Sequence, residues 1–322
     1  MTQIINKSTY TPSLEFEERN KLYYGFLHNF TSHHTRKNYF KDLKIFLHFM
    51  RENFPRVPET KAEHAHLVAF KEYLLKLPGE RKDGRSERSI NRTLACLFSF
   101  YEYLEDLGVV KDNPVRKVRR FKVSHVGRTL DLSDEEVKRM LASVDRTELS
   151  GKLHFALLKV LFTTGMRHSE LTHLKFENLD YQGEWIVLKY KAKGEKQMVT
   201  PLNLEAQNAL SEYLVHCQSI GLTMEPEDYI FRPTKNPVGS TEKHLDTKSL
   251  DYIFKKYANL AMVEGLVTPH SARATVIGSL LEKGISIHKV ADFVGHKDIS
   301  TTKSYNKRIS QMKDSLSFEI NF

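Results

Sequence analysis

Two arginines, two histidines, a lysine and a tyrosine set the chemistry this sequence can do. Near its C-terminal end His270 and Arg273 stand three apart in Thr-Pro-His-Ser-Ala-Arg, His296 closes Val-Gly-His, and Tyr305 follows nine residues later. Upstream, Arg167 comes two residues after Gly165, Glu170 lies three beyond it, and Lys193 begins Lys-Gly-Glu-Lys. A guanidinium fork grips phosphate oxygens in pairs, an imidazole donates or moves a proton near neutral pH, and an activated phenol is a nucleophile. Spaced this way, the set suits a site that holds a phosphate and attacks it with the phenol. Taken singly, each residue has a plainer reading. Arg-x-x-Glu is a common surface ion pair, Lys193 a solvated turn lysine, and Tyr305 one of 14 tyrosines.

Composition narrows the partner. The formal charge of +9 favours a polyanion, because each phosphate neutralised by Lys or Arg releases counterions. Cys96 and Cys217 are too few for a four-thiolate metal site and make no disulfide framework, so both are expected as buried, reduced packing residues. No apolar run reaches 18 residues and the first residues do not read as a secretory signal, which predicts a soluble, cytoplasmic chain without a membrane segment. There is no P-loop and no carboxylate cluster for magnesium, so no cofactor and no metal are expected.

These side chains need rigid elements to carry them. A length of 322 residues fits two domains. Residues 1–14 read as a flexible polar arm. From Thr35 a helix is predicted with Tyr39, Leu43, Phe46, Leu47 and Met50 inward, then one over 66–77 with Leu67, Phe70, Leu74 and Leu77 inward. Ser89 starts a third, burying Ile90, Leu94, Leu97, Phe98, Tyr101 and Leu104 and ending at Gly108. Together they make a bundle over 15–110, with Arg36, Lys37, Arg85, Arg88 and Arg92 at helix starts, where backbone amides also favour phosphate. Residues 111–128, with Arg119 and Arg120, show no apolar period and read as a basic interdomain linker that lies along a DNA backbone.

The second domain, 129–322, opens with a capping box at Ser133 and Glu136 and holds an apolar helix over 153–162 that stops at Gly165. Residues 185–190 and 198–201 read as a hairpin with Lys193 near its tip. Thr268 and Pro269 start a helix that brings His270 and Arg273 to one face, a shorter helix ends at Gly295, and Ser300, Thr301 and Thr302 cap the one that carries Tyr305.

As a set, Thr-Gly-Met-Arg-His-Ser-Glu-Leu, Lys-Gly-Glu-Lys, Thr-Pro-His-Ser-Ala-Arg, Val-Gly-His and Ser-Thr-Thr-Lys-Ser-Tyr resemble the tyrosine recombinases, the phage integrase family, in order and spacing. The resemblance covers about residues 15 to 310. It implies a mainly α fold with a small β-sheet: a helical N-terminal core-binding domain plus an α+β catalytic domain. It also implies that Tyr305 attacks a DNA phosphodiester to form a 3'-phosphotyrosyl bond and free a 5' hydroxyl. Arg167 and Arg273 would clamp the phosphate, His270 would exchange a proton with Tyr305, His296 would bind the phosphate, and Lys193 would protonate the leaving oxygen, with Lys196 its rival. Double-stranded DNA and further copies of the chain, as a tetrameric synapse, are the implied partners.

The tail beyond Tyr305 sets Ile309, Met312 and Leu316 on one helical face and then alternates Phe318, Ile320 and Phe322, which suits docking on a neighbouring subunit or on its own domain. Ala272 and Ala274 depart from the family pattern beside Arg273, which bears on packing and subfamily rather than on the reaction. The short arm leaves no room for an arm-binding domain and points to a Xer-like resolvase or to an integrase of a mobile element. A type IB topoisomerase would share the clamp and the tyrosine but needs no helical N-terminal module. A DNA-binding protein without activity would have lost one of these residues.

Overall fold

A computed structural model describes residues 14–77, 85–123, 130–192, 196–222, 224–235 and 243–305. The N-terminal arm through residue 13, Lys193, the end of the expected linker with Arg128, and the tail after Tyr305 lie outside the described residues. The chain divides into two units, Met1–Ser124 and His125–Phe322.

Among the described residues the first unit has four α-helices, α1 (Leu14–His28), α2 (His33–Asn53), α3 (His64–Lys76) and α4 (Glu87–Asp106), with a short 3-10 turn at Glu59–Lys61. Serine hydroxyls start two of them, Ser32 accepting from the Thr35 amide of α2 and Ser86 from the Ser89 amide of α4. Helix α4 therefore begins earlier than Ser89 suggests. Phe26, Phe46, Phe70 and Phe100 are buried at the centre, with Phe46 meeting Phe70 edge to face at 5.1 Å. Burying each such ring stabilises the unit by about 1.5–3 kcal/mol. On α2 the inward face is Asp42, Leu43, Phe46, Phe49 and Met50, so Phe49 takes the place expected for Leu47.

Residues 113–121, expected as extended linker, pack instead on this unit. Val115 and Val118 are buried in its core, Asn113 Nδ2 donates to Phe98 O at 2.9 Å, and Lys71 Nζ stands 4.2 Å from the Phe121 ring centroid. Two valines three apart make an apolar stripe too short to register as a period among so many cations. The Asn91 amide completes the docking, donating to Phe121 O at 2.9 Å and accepting from Phe121 N at 3.0 Å. Asn91→Ala removes both bonds and should lower the stability of the first unit by about 1–3 kcal/mol. Urea unfolding of the full chain measures it, and an unchanged midpoint would mean that the valines alone hold the segment.

The second unit is built on α6 (Leu149–Thr164), which follows α5 (Asp134–Ala142) and buries Leu153, Leu157, Leu158 and Leu161. The Ser133 and Glu136 capping box opens α5: the Ser133 amide donates to Glu136 Oε2 at 2.7 Å and the Glu136 amide to Ser133 Oγ at 3.2 Å. After the one-turn α7 (His168–Thr172), strands β1 (Leu179–Gln182), β2 (Trp185–Lys191) and β3 (Gln197–Pro201) form an antiparallel sheet in the order β1-β2-β3. Lys191 pairs with Gln197 at the hairpin end and Leu179 with Leu188 on the other edge. Helix α8 (Leu204–Ser219) lies along α6, and α9 (Thr247–Leu260) packs on α5 and α7.

The chain then delivers three helices in succession: α10 (Pro269–Glu282), α11 (Ile287–Phe293) and α12 (Ile299–Lys303). Asp298, not Ser300, caps α12, its carboxylate accepting from the Ser300 amide at 2.8 Å. Both cysteines are free and buried. Among the described residues no helix is long and apolar enough to cross a membrane.

Candidate active site

Helix α6 ends because Gly165 turns left-handed (φ 61°), and a Cβ there would stand 3.2 Å from Val276 of α10. That turn exposes a carbonyl. Arg273, projecting from α10 and only 2% exposed, donates Nη1–H to Gly165 O at 2.7 Å and Nη2–H to Val294 O at 2.6 Å. Two backbone acceptors from distant parts of the chain thus hold a buried guanidinium whose position the sheet and helices dictate. Burial first, and then the neighbouring Arg167, push its pKa down to about 10, so it stays charged at neutral pH.

Arg167 enters from the cap of α7. Its Nη1 meets Glu170 Oε1 at 2.8 Å, its backbone amide donates to Glu170 Oε2 at 2.9 Å, and its Nη2 donates to Gly295 O at 3.3 Å. Only 7% of the Glu170 side chain is exposed, so this pair is not a solvated surface bridge. Gly295 is left-handed (φ 66°) and lies under β3, where a Cβ would meet Met198 Sδ at 3.4 Å. The turn Val294-Gly295-His296 therefore serves three neighbours, with one carbonyl for each arginine and one ring.

That ring, His296, is 8% exposed, with Nδ1 at 2.7 Å from Thr302 Oγ1. Burial, with Arg273, Arg167 and His270 after it, lowers its pKa to about 4, which makes it neutral across the physiological range. Tyr305 lies two residues past α12, packed against a cluster of Ile277, Leu281, Val290 and Val294. Its ring stacks on His296 at 6.0 Å and 16°, and its hydroxyl stands 2.9 Å from His270 Nε2.

His270 itself faces outward at the first turn of α10, while Arg273 turns in to its carbonyls, so the two do not share one exposed face. Desolvation is the largest effect lowering the pKa of His270, followed by Arg273, His168 and Arg167. With the ring proton on Nδ1, His270 Nε2 is an acceptor to which the Tyr305 hydroxyl can donate. Burial raises the Tyr305 pKa and the two arginines act against that rise.

The structure thus brings Arg167, His270, Arg273, His296 and Tyr305 together from four separate elements of one unit. Lys193 lies outside the described residues; among those described beside it, Ala192 N–H donates to Lys196 O at 2.8 Å. Lys196, its rival, stands 3.8 Å from Asp292 of α11. Tyr190 on β2 was missed by sequence reasoning: its phenol, raised in pKa mainly by burial, lies within the field of Glu170, Arg273 and Arg167. The strand pattern marks it as half-buried and nothing more.

In the first unit Arg36 and Arg88 occupy the first turns of α2 and α4, Lys37 and Arg92 the second, with Arg85 just ahead of α4. Arg36 Nη2 donates to Thr31 O at 3.1 Å, and Arg92 pairs with the buried Asp42 at 3.0 Å. Arg85 also acts on the Asp42 carboxylate, whose pKa burial raises. Arg119 and Arg120 are exposed on the docked segment, where Arg119 O accepts from Lys71 Nζ at 2.8 Å.

The profile of the phage integrase family matches residues 131–312, and that of the phage integrase N-terminal SAM-like domain matches residues 22–108. A tyrosine recombinase of Pseudothermotoga lettingae is 29% identical over 283 residues, covering 88% of this chain and 90% of its own length. The tyrosine recombinase XerD of Listeria innocua is 29% identical over 276 residues, 85% of this chain and 88% of its own. The XerH site-specific recombinase, solved in a post-cleavage complex with a palindromic difH substrate, shares the fold with a TM-score of 0.68 at 18% identity, over 88% of this chain and 78% of that one. The catalytic-domain match alone spans more than half of the sequence, each unit contains one matched region, and the chain belongs to the phage integrase family, the tyrosine recombinases.

Proposed function

We propose that this chain is a site-specific DNA recombinase that cleaves and rejoins strands through Tyr305. The observation that carries the reading is the Tyr305 hydroxyl at 2.9 Å from His270 Nε2, beside two anchored guanidinium groups. Tyr305 Oη attacks the phosphorus while its proton passes to His270 Nε2. A Tyr–O–P bond forms at the 3' side, the bond to the 5' oxygen breaks, and Lys193 protonates that leaving oxygen. Charge rising on the non-bridging oxygens is met by Arg167 and Arg273, which are already in place and need no reorganisation. The 5' hydroxyl of a second strand then attacks the phosphotyrosine and reverses each transfer. Because the bond energy is kept in the covalent intermediate, the cycle requires no nucleotide.

Arg36, Lys37, Arg85, Arg88, Arg92, Arg119 and Arg120 supply phosphate contacts, so affinity falls steeply with salt. Exchange between two sites needs two cleavages at each, which calls for four copies on DNA, and the tail after Tyr305 is the segment we assign to contact between them. The protein acts in the cytoplasm, on replicon dimers as a Xer-like resolvase or on the ends of a mobile element.

The test uses a duplex that this chain selects from a randomised pool, nicked at successive positions so that the short 5'-hydroxyl fragment leaves after cleavage. A covalent adduct at the 3' phosphate, mapped to Tyr305 by mass spectrometry, is expected. Adduct formation under kcat/KM conditions should fall only as pH drops below the ordinary histidine value of about 6.5. The sign follows from the role: a base must be unprotonated, and the lowered pKa of His270 keeps it so at neutrality. No adduct on any nicked duplex, or one at another residue, overturns the reading.

A further inference from the structure

The imidazole of His296 has two edges, and the structure occupies only one. Nδ1 is 2.7 Å from Thr302 Oγ1; Thr302 is fully buried on α12, and His296 is 8% exposed. The Tyr305 ring lies beside it, nearly parallel at 16° with the centroids 6.0 Å apart. The ring is therefore fixed in rotation, and its remaining nitrogen, Nε2, is the one free to meet a phosphate.

Which nitrogen carries the proton follows from counting donors. A neutral imidazole has one N–H, and a threonine hydroxyl has one O–H. If Nδ1 held the proton and gave it to Oγ1, the Thr302 hydroxyl proton would be buried with no acceptor among the described residues, at a cost of the kind that buried orphan donors incur. If the hydroxyl donates to Nδ1, both groups are satisfied and the imidazole proton sits on Nε2. The lowered pKa of His296 removes the third case, a doubly protonated ring, at neutral pH.

We propose that Thr302 is a positioning residue that holds His296 in its Nε2–H tautomer and so makes it a neutral hydrogen-bond donor to the phosphate under attack. This rests on the reading above that His296 meets that phosphate. With the opposite tautomer Nε2 would present a lone pair to a phosphate oxygen, so the contact would repel where it should attract. The proton on Nε2 also keeps His296 from competing with His270 for the Tyr305 proton. The two histidines, alike in sequence, then do opposite work: His270 accepts through Nε2 and His296 donates through Nε2.

The test combines a spectrum with a rate. In full-length protein labelled with 15N-histidine, the His296 ring is assigned by its loss in His296→Ala. Wild type and Thr302→Ser should both show a protonated Nε2 and a bare, hydrogen-bonded Nδ1. Thr302→Val, which keeps the volume and removes the hydroxyl, should show a mixed or reversed tautomer. Its adduct formation on the nicked duplex should be roughly 10- to 100-fold slower, less than the 10²–10³-fold typical of deleting such a donor outright. Thr302→Ser should cleave near the wild-type rate. A wild-type spectrum with the proton on Nδ1 overturns the proposal even if Thr302→Val fails to fold. An unchanged tautomer and unchanged rate in Thr302→Val also overturn it. If instead His296→Ala cleaves at the wild-type rate, it is the contact between His296 and the phosphate that fails, and the spectrum still decides the tautomer.

Discussion

Tyr305→Phe will leave the chain bound to DNA and remove the covalent adduct, a fall of at least about 10⁴-fold in strand cleavage, the scale seen when a nucleophile is deleted. The change takes away one oxygen. The ring keeps its packing on Ile277, Leu281, Val290 and Val294 and its stack on His296, so α12 has no reason to move. A gel-shift at fixed salt should match wild type while the denaturing gel shows no adduct. Since the Tyr305 hydroxyl stands 2.9 Å from His270 of the same chain, cleavage should also be internal to each subunit. Mixing Tyr305→Phe with an Arg273 variant should therefore give no adduct, because neither subunit holds both groups. Adduct in the mixture would mean that the nucleophile reaches a neighbour's clamp.

Arg273→Lys should be almost as damaging despite keeping a cation, for two separable reasons. The planar fork serves Gly165 O and Val294 O at once, at 2.7 and 2.6 Å, and one ammonium cannot reproduce that geometry. Leaving a buried carbonyl short of its donor should cost about 1–3 kcal/mol of stability. The environment also matters: burial and Arg167 already push a guanidinium down to about 10. A lysine starts nearer 10.4 and the same burial would carry it lower, toward loss of the charge the transition state needs. Adduct formation should drop on the order of 10³-fold. Chemical denaturation and the nicked-duplex assay read the two effects apart, and a variant that cleaves within tenfold of wild type would show that a point charge suffices.

The side chains of the candidate site are legible in the sequence because their types are rare in combination and their spacing is that of helix ends: Thr268 with Pro269, Gly165 and Gly295. What holds them is much less so. Glu170, which meets Arg167, stands in the sequence at the right spacing, but the other acceptors of the two arginines are the carbonyls of Gly165, Val294 and Gly295, and a carbonyl has no residue identity to read. Thr302 looks like any threonine in a short polar helix until the fold lays it against His296. Tyr190 looks like a strand residue until the sheet brings it near the clamp.

The same gap appears in the first unit. Val115 and Val118 are two apolar residues in a basic run, and only docking shows that they belong to a core. Asp42 reads as a polar residue on a helix, yet it is 1% exposed because Arg92 and Thr93 reach it from α4. Periodicity finds stripes, and both of these depend on a partner that comes from elsewhere in the chain. Strand β1, Leu-Asp-Tyr-Gln, is too short and too polar to stand out before β2 pairs with it.

Anchoring the clamp on main-chain oxygens has a consequence for how such a protein drifts over generations. No substitution at position 165, 294 or 295 can delete an acceptor, since every amino acid brings its own carbonyl. What a substitution can disturb is the path of the backbone: Gly165 and Gly295 are left-handed, at φ 61° and 66°, and a side chain at either strains the turn that aims its carbonyl. A single inserted or deleted residue between Val294 and His296 reaches further. It would shift the oxygen of one arginine, the oxygen of the other and the imidazole together, so the length of this turn is fixed by three contacts at once.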